Sequence, residues 1–304
     1  MDAVPPLTVD SPYSNTAQTY DPGLRLPRLW QWNFTIEQSL GEKQTITASY
    51  VGSAGRNLTV TKLLYPDRVG NAAFSQGRGI WYTRNGAASD YNALQLQLQR
   101  RLHRGLQTLA SYTWSHSLDD ASSNFRTLMQ LRGSSDFDIR HNFQAALTYD
   151  IPGSYRNAVL SGLLKHWALD ARISARSALP LDVIGATGID PITGANLNFH
   201  PNLVPGQPFY LADPNIGRAF VAVQTDITLR REFPLHEQVR LQFRAEAFNA
   251  LNQPIFGQIY SEMSNGAALF GTTRNTLNSQ LGGLNSLYQV GGPRSLQLAL
   301  RLMF

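Results

Sequence analysis

Arg294-Ser295-Leu296-Gln297-Leu298-Ala299-Leu300-Arg301-Leu302-Met303-Phe304 closes the chain and decides how the rest is read. In an extended strand successive side chains point to opposite sides. Leu296, Leu298, Leu300, Leu302 and Phe304 therefore share one face, and Ser295, Gln297 and Arg301 share the other. The stretch is a strand with one oily and one wet side. It runs to the final residue, which is aromatic.

The same period of two recurs upstream. Trp30, Trp32, Phe34 and Ile36 alternate with Gln31, Asn33, Thr35 and Glu37, and residues 44–53 form a second strand after a short turn at 39–43. Leu94, Leu96 and Leu98 oppose Gln95, Gln97 and Gln99. The tight turn Leu102-His103-Arg104-Gly105 leads back through Leu106, Thr108, Ala110, Tyr112 and Trp114. Further alternating runs cover residues 143–151, 167–176, 223–230 and 239–247. Residues 1–28 read as irregular loop, and residues 54–78 as a long polar segment. The patch at 80–84 reads as the upper part of the third strand.

Turn length adds topology. Connections near 39–43, 102–105 and 234–238 are short, and that at 153–165 is intermediate. Those near 54–90, 116–140, 184–221 and 251–293 are long. Short and long ends alternate, as in transmembrane barrels with short periplasmic turns and long extracellular loops. Every short turn lands on one side only if 80–84 adds no extra crossing. The expectation is an all-β, antiparallel transmembrane β-barrel with about nine spanning strands, and a closed bacterial barrel has an even number. The chain is thus expected to be the C-terminal part of a larger barrel.

Composition narrows the alternatives. The 304 residues carry 26 basic and 21 acidic side chains, for a net charge of +5. The charges are dispersed, so no nucleic-acid partner is expected. Cysteine is absent, which excludes disulfides and thiolate metal sites. No apolar run approaches the roughly 18 residues of a membrane helix, whereas a barrel strand needs only about 10 alternating residues. The first residues have neither a basic start nor an apolar core, so no signal peptide is expected in them.

The two faces assign roles. Trp30, Trp32, Tyr50, Tyr112, Trp114, Tyr149 and Trp167 fall near strand ends, where amphipathic rings suit a headgroup-level girdle. Glu37, Asp170, Arg172, Asp226, Arg230, Arg240, Arg244 and Glu246 fall on the opposite face and are expected to line a wet lumen. Arg100 and Arg231 share the oily face, near periplasmic ends where snorkelling lowers the cost to about 0–1 kcal/mol. A soluble β-sandwich also alternates; the charge-free faces and the loop asymmetry favour the barrel over it.

Several stretches resemble a known family. They are Tyr20-Asp21-Pro22 through Leu29-Trp30-Gln31-Trp32-Asn33, Tyr50-Val51-Gly52-Ser53 and Asp90-Tyr91-Asn92-Ala93-Leu94-Gln95-Leu96. Next come Ser111-Tyr112-Thr113-Trp114-Ser115-His116-Ser117-Leu118-Asp119-Asp120 and Ser135-Asp136-Phe137-Asp138-Ile139-Arg140-His141-Asn142-Phe143. Last are Arg244-Ala245-Glu246-Ala247-Phe248-Asn249-Ala250-Leu251-Asn252 and Gly291-Gly292-Pro293-Arg294. Their order, over nearly the whole chain, resembles the C-terminal barrel region of Oar-like TonB-dependent outer-membrane receptors. These are transporters with a carboxypeptidase-regulatory-like N-terminal domain.

The resemblance implies a plugged barrel of about 22 strands that takes up a scarce substrate with energy passed by TonB to the plug. It implies a bacterial outer-membrane location, with contacts to outer-membrane lipid. The terminal strand, Leu296, Leu298, Leu300, Leu302 and Phe304, would carry the signal read by the barrel-assembly machinery. No plug, TonB-contacting segment or regulatory-like domain is recognised in the chain, so the TonB system is expected to act through a plug elsewhere. A complete smaller outer-membrane channel or adhesin is the alternative.

Motifs for chemistry are sparse. His116 with Asp119 and Asp120, and His141 with Asp136 and Asp138, combine imidazole and carboxylate as a metal site would. The same groups also order a loop through hydrogen bonds, and this reading is favoured. Asp190 and Asp213 lack EF-hand spacing. No nucleophile elbow, HExxH or phosphate loop occurs, so neither an enzyme nor a cofactor is expected. Phe199, Phe209, Tyr210, Phe256 and Tyr260 in the long loops either contact a ligand or pack the loops down.

Overall fold

The computed structural model describes residues 17–70, 79–120, 122, 132–152, 159, 161–162, 165–181, 186–189, 196–199, 217–236, 238–262, 266, 268–277 and 291–304. The strands are β1 (Ala17–Tyr20), β2 (Arg28–Leu40), β3 (Gln44–Leu64), β4 (Ile80–His103) and β5 (Leu106–Asp119). They continue with β6 (Gly133–Ser134), β7 (His141–Asp150), β8 (Trp167–Arg176), β9 (Pro180–Leu181) and β10 (Ala186–Ile189). The last are β11 (Asn196–Phe199), β12 (Gly217–Arg218), β13 (Ala222–Pro234), β14 (Arg240–Phe248) and β15 (Ser295–Met303).

Nine long strands pair in chain order, β2-β3-β4-β5-β7-β8-β13-β14-β15, each antiparallel to the next. This meander matches the strand succession expected from the alternation. Residues 80–84 begin β4, as the turn parity required. β2 and β15 are the edges of the sheet.

Register lines the oily residues of successive strands up on one side, with exceptions such as Val51, Leu109 and Phe248 on the other. Leu40 pairs Gln44, which pairs Arg100, and the row continues through Thr108, Leu147, Ala171, Ile227 and Ala247 to Leu296. This row leaves β2 at its last residue and reaches β15 at its second. The strands are therefore steadily staggered, which is the slant a sheet needs to curl into a barrel.

The sheet has an inverted burial pattern. Buried apolar residues among those described are few and mostly small: Val60, Ala87, Ala93, Ala168, Ala178, Ala222 and Ile255. The largest fully buried side chains are instead polar: Lys62, Asn249 and Asp138. Leu296, Leu298 and Leu300 are more than 70% exposed, and Phe304 is 96% exposed. A sandwich would cover this face with a second sheet, whereas here it lies open across the nine strands. In water so large an apolar surface is an aggregation hazard; against hydrocarbon it is at home.

Two segments read as loop are more ordered than expected. β3 has 21 residues and β4 has 24, well beyond the roughly 10 that span a bilayer. Their alternation breaks at a bulge between Gly55 and Leu58, where Asn57 adopts φ 55°, so the sequence pattern stops there while the hairpin continues. β1 pairs parallel with the start of β4, from Ala17 opposite Ile80 to Tyr20 opposite Thr83. Asn85 braces the crossing: its Nδ2 donates to Arg25 O at 2.8 Å and to Asn57 O at 2.6 Å. Beyond the bulge, burial with Arg84 beside it pushes the Lys62 ammonium down to about 8.

Gly52 faces Trp32 across the β2–β3 pair, and a Cβ on it would stand 2.2 Å from the indole. Gly52→Val is expected to displace that ring and cost about 1–3 kcal/mol. Denaturant unfolding in detergent, followed by Trp emission, measures both effects.

Candidate functional site

The polar face of the sheet carries the charges. Arg230 on β13 is the hub. Its Nε lies 3.0 Å from Asp170 Oδ2 on β8, and its terminal nitrogens lie 3.2 Å from Asp150 on β7 and 4.0 Å from Glu232. Arg240 reaches Glu232 at 3.6 Å, and Gln242 Nε2 donates to Glu232 at 3.1 Å. Thr148 Oγ1 donates to Asp170 at 2.7 Å. The register sets Arg230 directly opposite Arg244, a like-charge pair that would destabilise alone. Glu246, 2.5 Å from Arg244, and the carboxylates on Arg230 offset it.

The structure thus brings Asp170, Arg230 and Arg240 into one network and pairs Arg244 with Glu246. Asp150 and Glu232 join that network and were not among the expected lumenal charges. The signal for both was their alternation with the oily residues of β7 and β13. Glu37 lies on the same face of the edge strand β2, opposite Thr47. Beside the network a cavity of about 850 Å³ opens at the end bearing the short turns, lined by Asp150, Lys165, His166, Trp167, Arg230 and Glu232.

At the opposite end the chain after β14 folds back onto the polar face. Asn249, 2% exposed with φ 46°, is the root of this return. Its backbone N donates to Asp226 Oδ1 at 2.9 Å, and its Nδ2 donates to Gln253 O at 2.9 Å and Gly292 O at 2.7 Å. Its Oδ1 accepts from Gln253 N at 3.0 Å. Asp226 is therefore engaged in holding a loop, together with Gln224 Nε2 at 2.9 Å. Phe256 packs against Phe220, and Arg274 lies over the Tyr260 ring. Phe209, Tyr210, Asp190 and Asp213 lie outside the described residues, as does the side chain of Phe199.

The two histidines find partners other than those nearest in sequence. His116 Nδ1 lies 3.3 Å from Asp138, and its Nε2 lies 2.9 Å from Arg140. Asp138 is 1% exposed and also accepts from Ser117 N and Arg140 Nε. His141 Nδ1 meets Tyr112 Oη at 2.7 Å. Asp90 joins Arg56 and Arg132 at the same end. Among the described residues, no group of three His, Cys, Asp or Glu could hold a metal ion. These clusters tie long connections to strand ends.

On the oily face Trp30, Trp32, Tyr50 and Trp114 stand toward the long-loop end, and Tyr149 and Trp167 toward the short-turn end. Tyr112 sits lower, opposite Leu96, and its hydroxyl reaches up to His141. Arg231, which shares this face with Arg100, lies between the Trp167 and Phe233 rings, 5.2 and 4.8 Å from their centroids. Its terminal nitrogen donates to Gly162 O at 2.8 Å. The cation is thus shielded within the oily surface.

Arg230→Gln leaves Asp150, Asp170 and Glu232 repelling one another. Because the partners are half-exposed, the expected loss is about 1–2 kcal/mol and shrinks in 1 M salt, where screening acts within roughly 3 Å. Equilibrium unfolding at low and high salt checks this.

No curated protein matches the chain. Solved structures similar to it include the outer membrane transporter YddB from Escherichia coli, with TM-score 0.54, 10% identity, 96% of this chain and 34% of that one. The FrpB iron transporter from Neisseria meningitidis gives TM-score 0.47 and 12% identity over 95% of this chain and 33% of that one. The ferric-catecholate import receptor Fiu from E. coli gives 0.49 and 10% over 91% and 27%. The chain spans about a quarter to a third of the length of these proteins. The model of the family described as outer membrane beta barrel domain matches residues 2–222 and 212–297, and the chain belongs to that family of the bacterial outer membrane.

Proposed function

We propose that this chain is the C-terminal wall of a TonB-dependent, Oar-like transporter barrel. The open apolar face of nine staggered strands, set against a polar face laced with ion pairs, carries this reading. The apolar face meets lipid, with Trp30, Trp32, Tyr50, Tyr112, Trp114, Tyr149 and Trp167 near the headgroups. The polar face lines the lumen, with Glu37, Asp170, Arg172, Asp226, Arg230, Arg240, Arg244 and Glu246 in contact with water or a plug. The strand ending at Phe304 carries the assembly signal.

Strand direction supports a larger barrel. Nine antiparallel strands leave β2 and β15 running the same way. Closing an all-antiparallel barrel between them takes an odd number of further strands, giving an even total. A second copy of this nine-stranded sheet would meet the first edge to edge in parallel. The likeness to YddB supports the fold of such a wall, and the ordered motifs shared with Oar-like receptors support the transporter. In this reading the long loops admit a scarce substrate, and TonB acts through a plug seated against the Arg230 network.

A photo-crosslinking residue in place of Thr228, on the polar face between Asp226 and Arg230, tests the plug in living cells. Crosslinks to a plug segment are expected. Crosslinks to no polypeptide would contradict the plugged transporter and favour an open channel or adhesin.

A further inference from the structure

β8 presents Asp170, Arg172, Ser174 and Arg176 on the polar face. Arg230, Arg240 and Arg244 on that face each meet a carboxylate. Arg172 and Arg176 do not: among the described residues neither side chain has a hydrogen bond or an ion pair. Arg172 stands between Ala146 and Asp226 in the register, and Arg176 between Asn142 and Ala222. Asp226 holds Gln224 and the Asn249 amide on one oxygen instead of pairing with Arg172.

Both arginines line one cavity of about 100 Å³, with Ser174 and Gln224 on the wall and Ile255 and Leu277 as its roof. The roof is built. Leu277 N donates to Ile255 O at 2.9 Å, and Ile255 is buried. Gly291, with φ 76°, packs so closely that a Cβ would stand 2.9 Å from Ile255 Cβ and 3.3 Å from Leu277 Cβ. Its amide donates to Gln224 Oε1 at 3.1 Å, while Gln224 Nε2 donates to Asp226 on the same strand. Ser174 Oγ accepts from Gln144 Nε2 at 2.8 Å, which leaves its proton free to donate.

The cavity therefore offers two guanidinium groups and a hydroxyl donor, opposed by one carboxylate already in use. Guanidinium forks bind carboxylate and phosphate oxygens through paired, charge-assisted hydrogen bonds. We propose that this cavity is a subsite for an anionic group, carboxylate or phosphate, of a small solute passing the loop end of the lumen. The volume suits the anionic group of a ligand, with the remainder extending into the lumen. The inference rests on the polar face being the lumen and names the chemistry that this lumen recognises.

The test uses the chain refolded into detergent micelles at low ionic strength, with inorganic phosphate and citrate as separate probes. Calorimetric titration is expected to show saturable binding of at least one probe, and the preferred probe tells phosphate from carboxylate. Arg172→Gln and Arg176→Gln should each weaken it about tenfold, and Arg301→Gln, on the same face outside the cavity, should not. Phenylglyoxal labelling of the unaltered chain, mapped by mass spectrometry, should slow at Arg172 and Arg176 when the bound probe is present. Absence of saturable binding by folded chain, or equal loss in Arg301→Gln, overturns the subsite. So does slow labelling without probe, since a carboxylate of the chain would then hold the arginines. A chain that folds but stays out of lipid vesicles overturns the lumen reading with it; a chain that inserts and binds no anion overturns the subsite alone.

Discussion

Hydrocarbon offers no partner to a backbone amide or carbonyl, so a chain crossing it must satisfy those groups within the protein. A sheet does this strand by strand, and only a closed sheet does it without edges. The other features of this molecule follow from that constraint. Its nine long strands form one continuous sheet, its side chains largely sort by face, and its long connections lie at one end. Stability here is not that of a water-soluble core, since the largest fully buried side chains are Lys62, Asn249 and Asp138. The apolar surface is instead turned outward to a solvent that is itself apolar.

The polar groups then do the structural work that hydrophobic packing does elsewhere. Arg230 joins three strands through Asp150, Asp170 and Glu232, and so fixes β7, β8 and β13 relative to one another. Asp138 gathers Ser117, His116 and Arg140, and Asn249 gathers the return of the last loop. On the oily side Arg231 is shielded by Trp167 and Phe233. On the proposed reading the same wall serves transport: ion pairs give the lumen mixed charge near the turn end, and Arg172 and Arg176, whose side chains have no partner among the described residues, mark the loop end.

Much of this was legible because a strand has a period of two and a turn has a length. Leu94 to Gln99 could be read as one crossing strand from its alternation alone, and turn parity placed residues 80–84 on that strand rather than on a new one. The period failed where geometry broke it. Asn57 at the β3 bulge shifts the register, so the continuation to Leu64 looked like loop. β1 was missed because a parallel contact with β4 leaves no local pattern. The site was less legible than the fold. His116 is nearer in sequence to Asp119 than to Asp138, yet the return of the chain decides its partner. Asn249 and Asn252, both at positive φ after a strand, were a turn signal for the loop root. The roof over Arg172 and Arg176 had no such signal, because Ile255 and Leu277 meet the wall only after a long excursion.

Leu96 and Gln97 are neighbours near the middle of the alternating, spanning part of β4 and face opposite sides of the sheet. Folding into lipid vesicles with Leu96→Arg, compared with Gln97→Arg, tests the two-faced wall most directly. The account predicts a loss of about 2–4 kcal/mol for Leu96→Arg, as for a cation at mid-bilayer, and a change within about 0.5 kcal/mol for Gln97→Arg. Equal losses at the two positions, or the larger loss at Gln97, would contradict it.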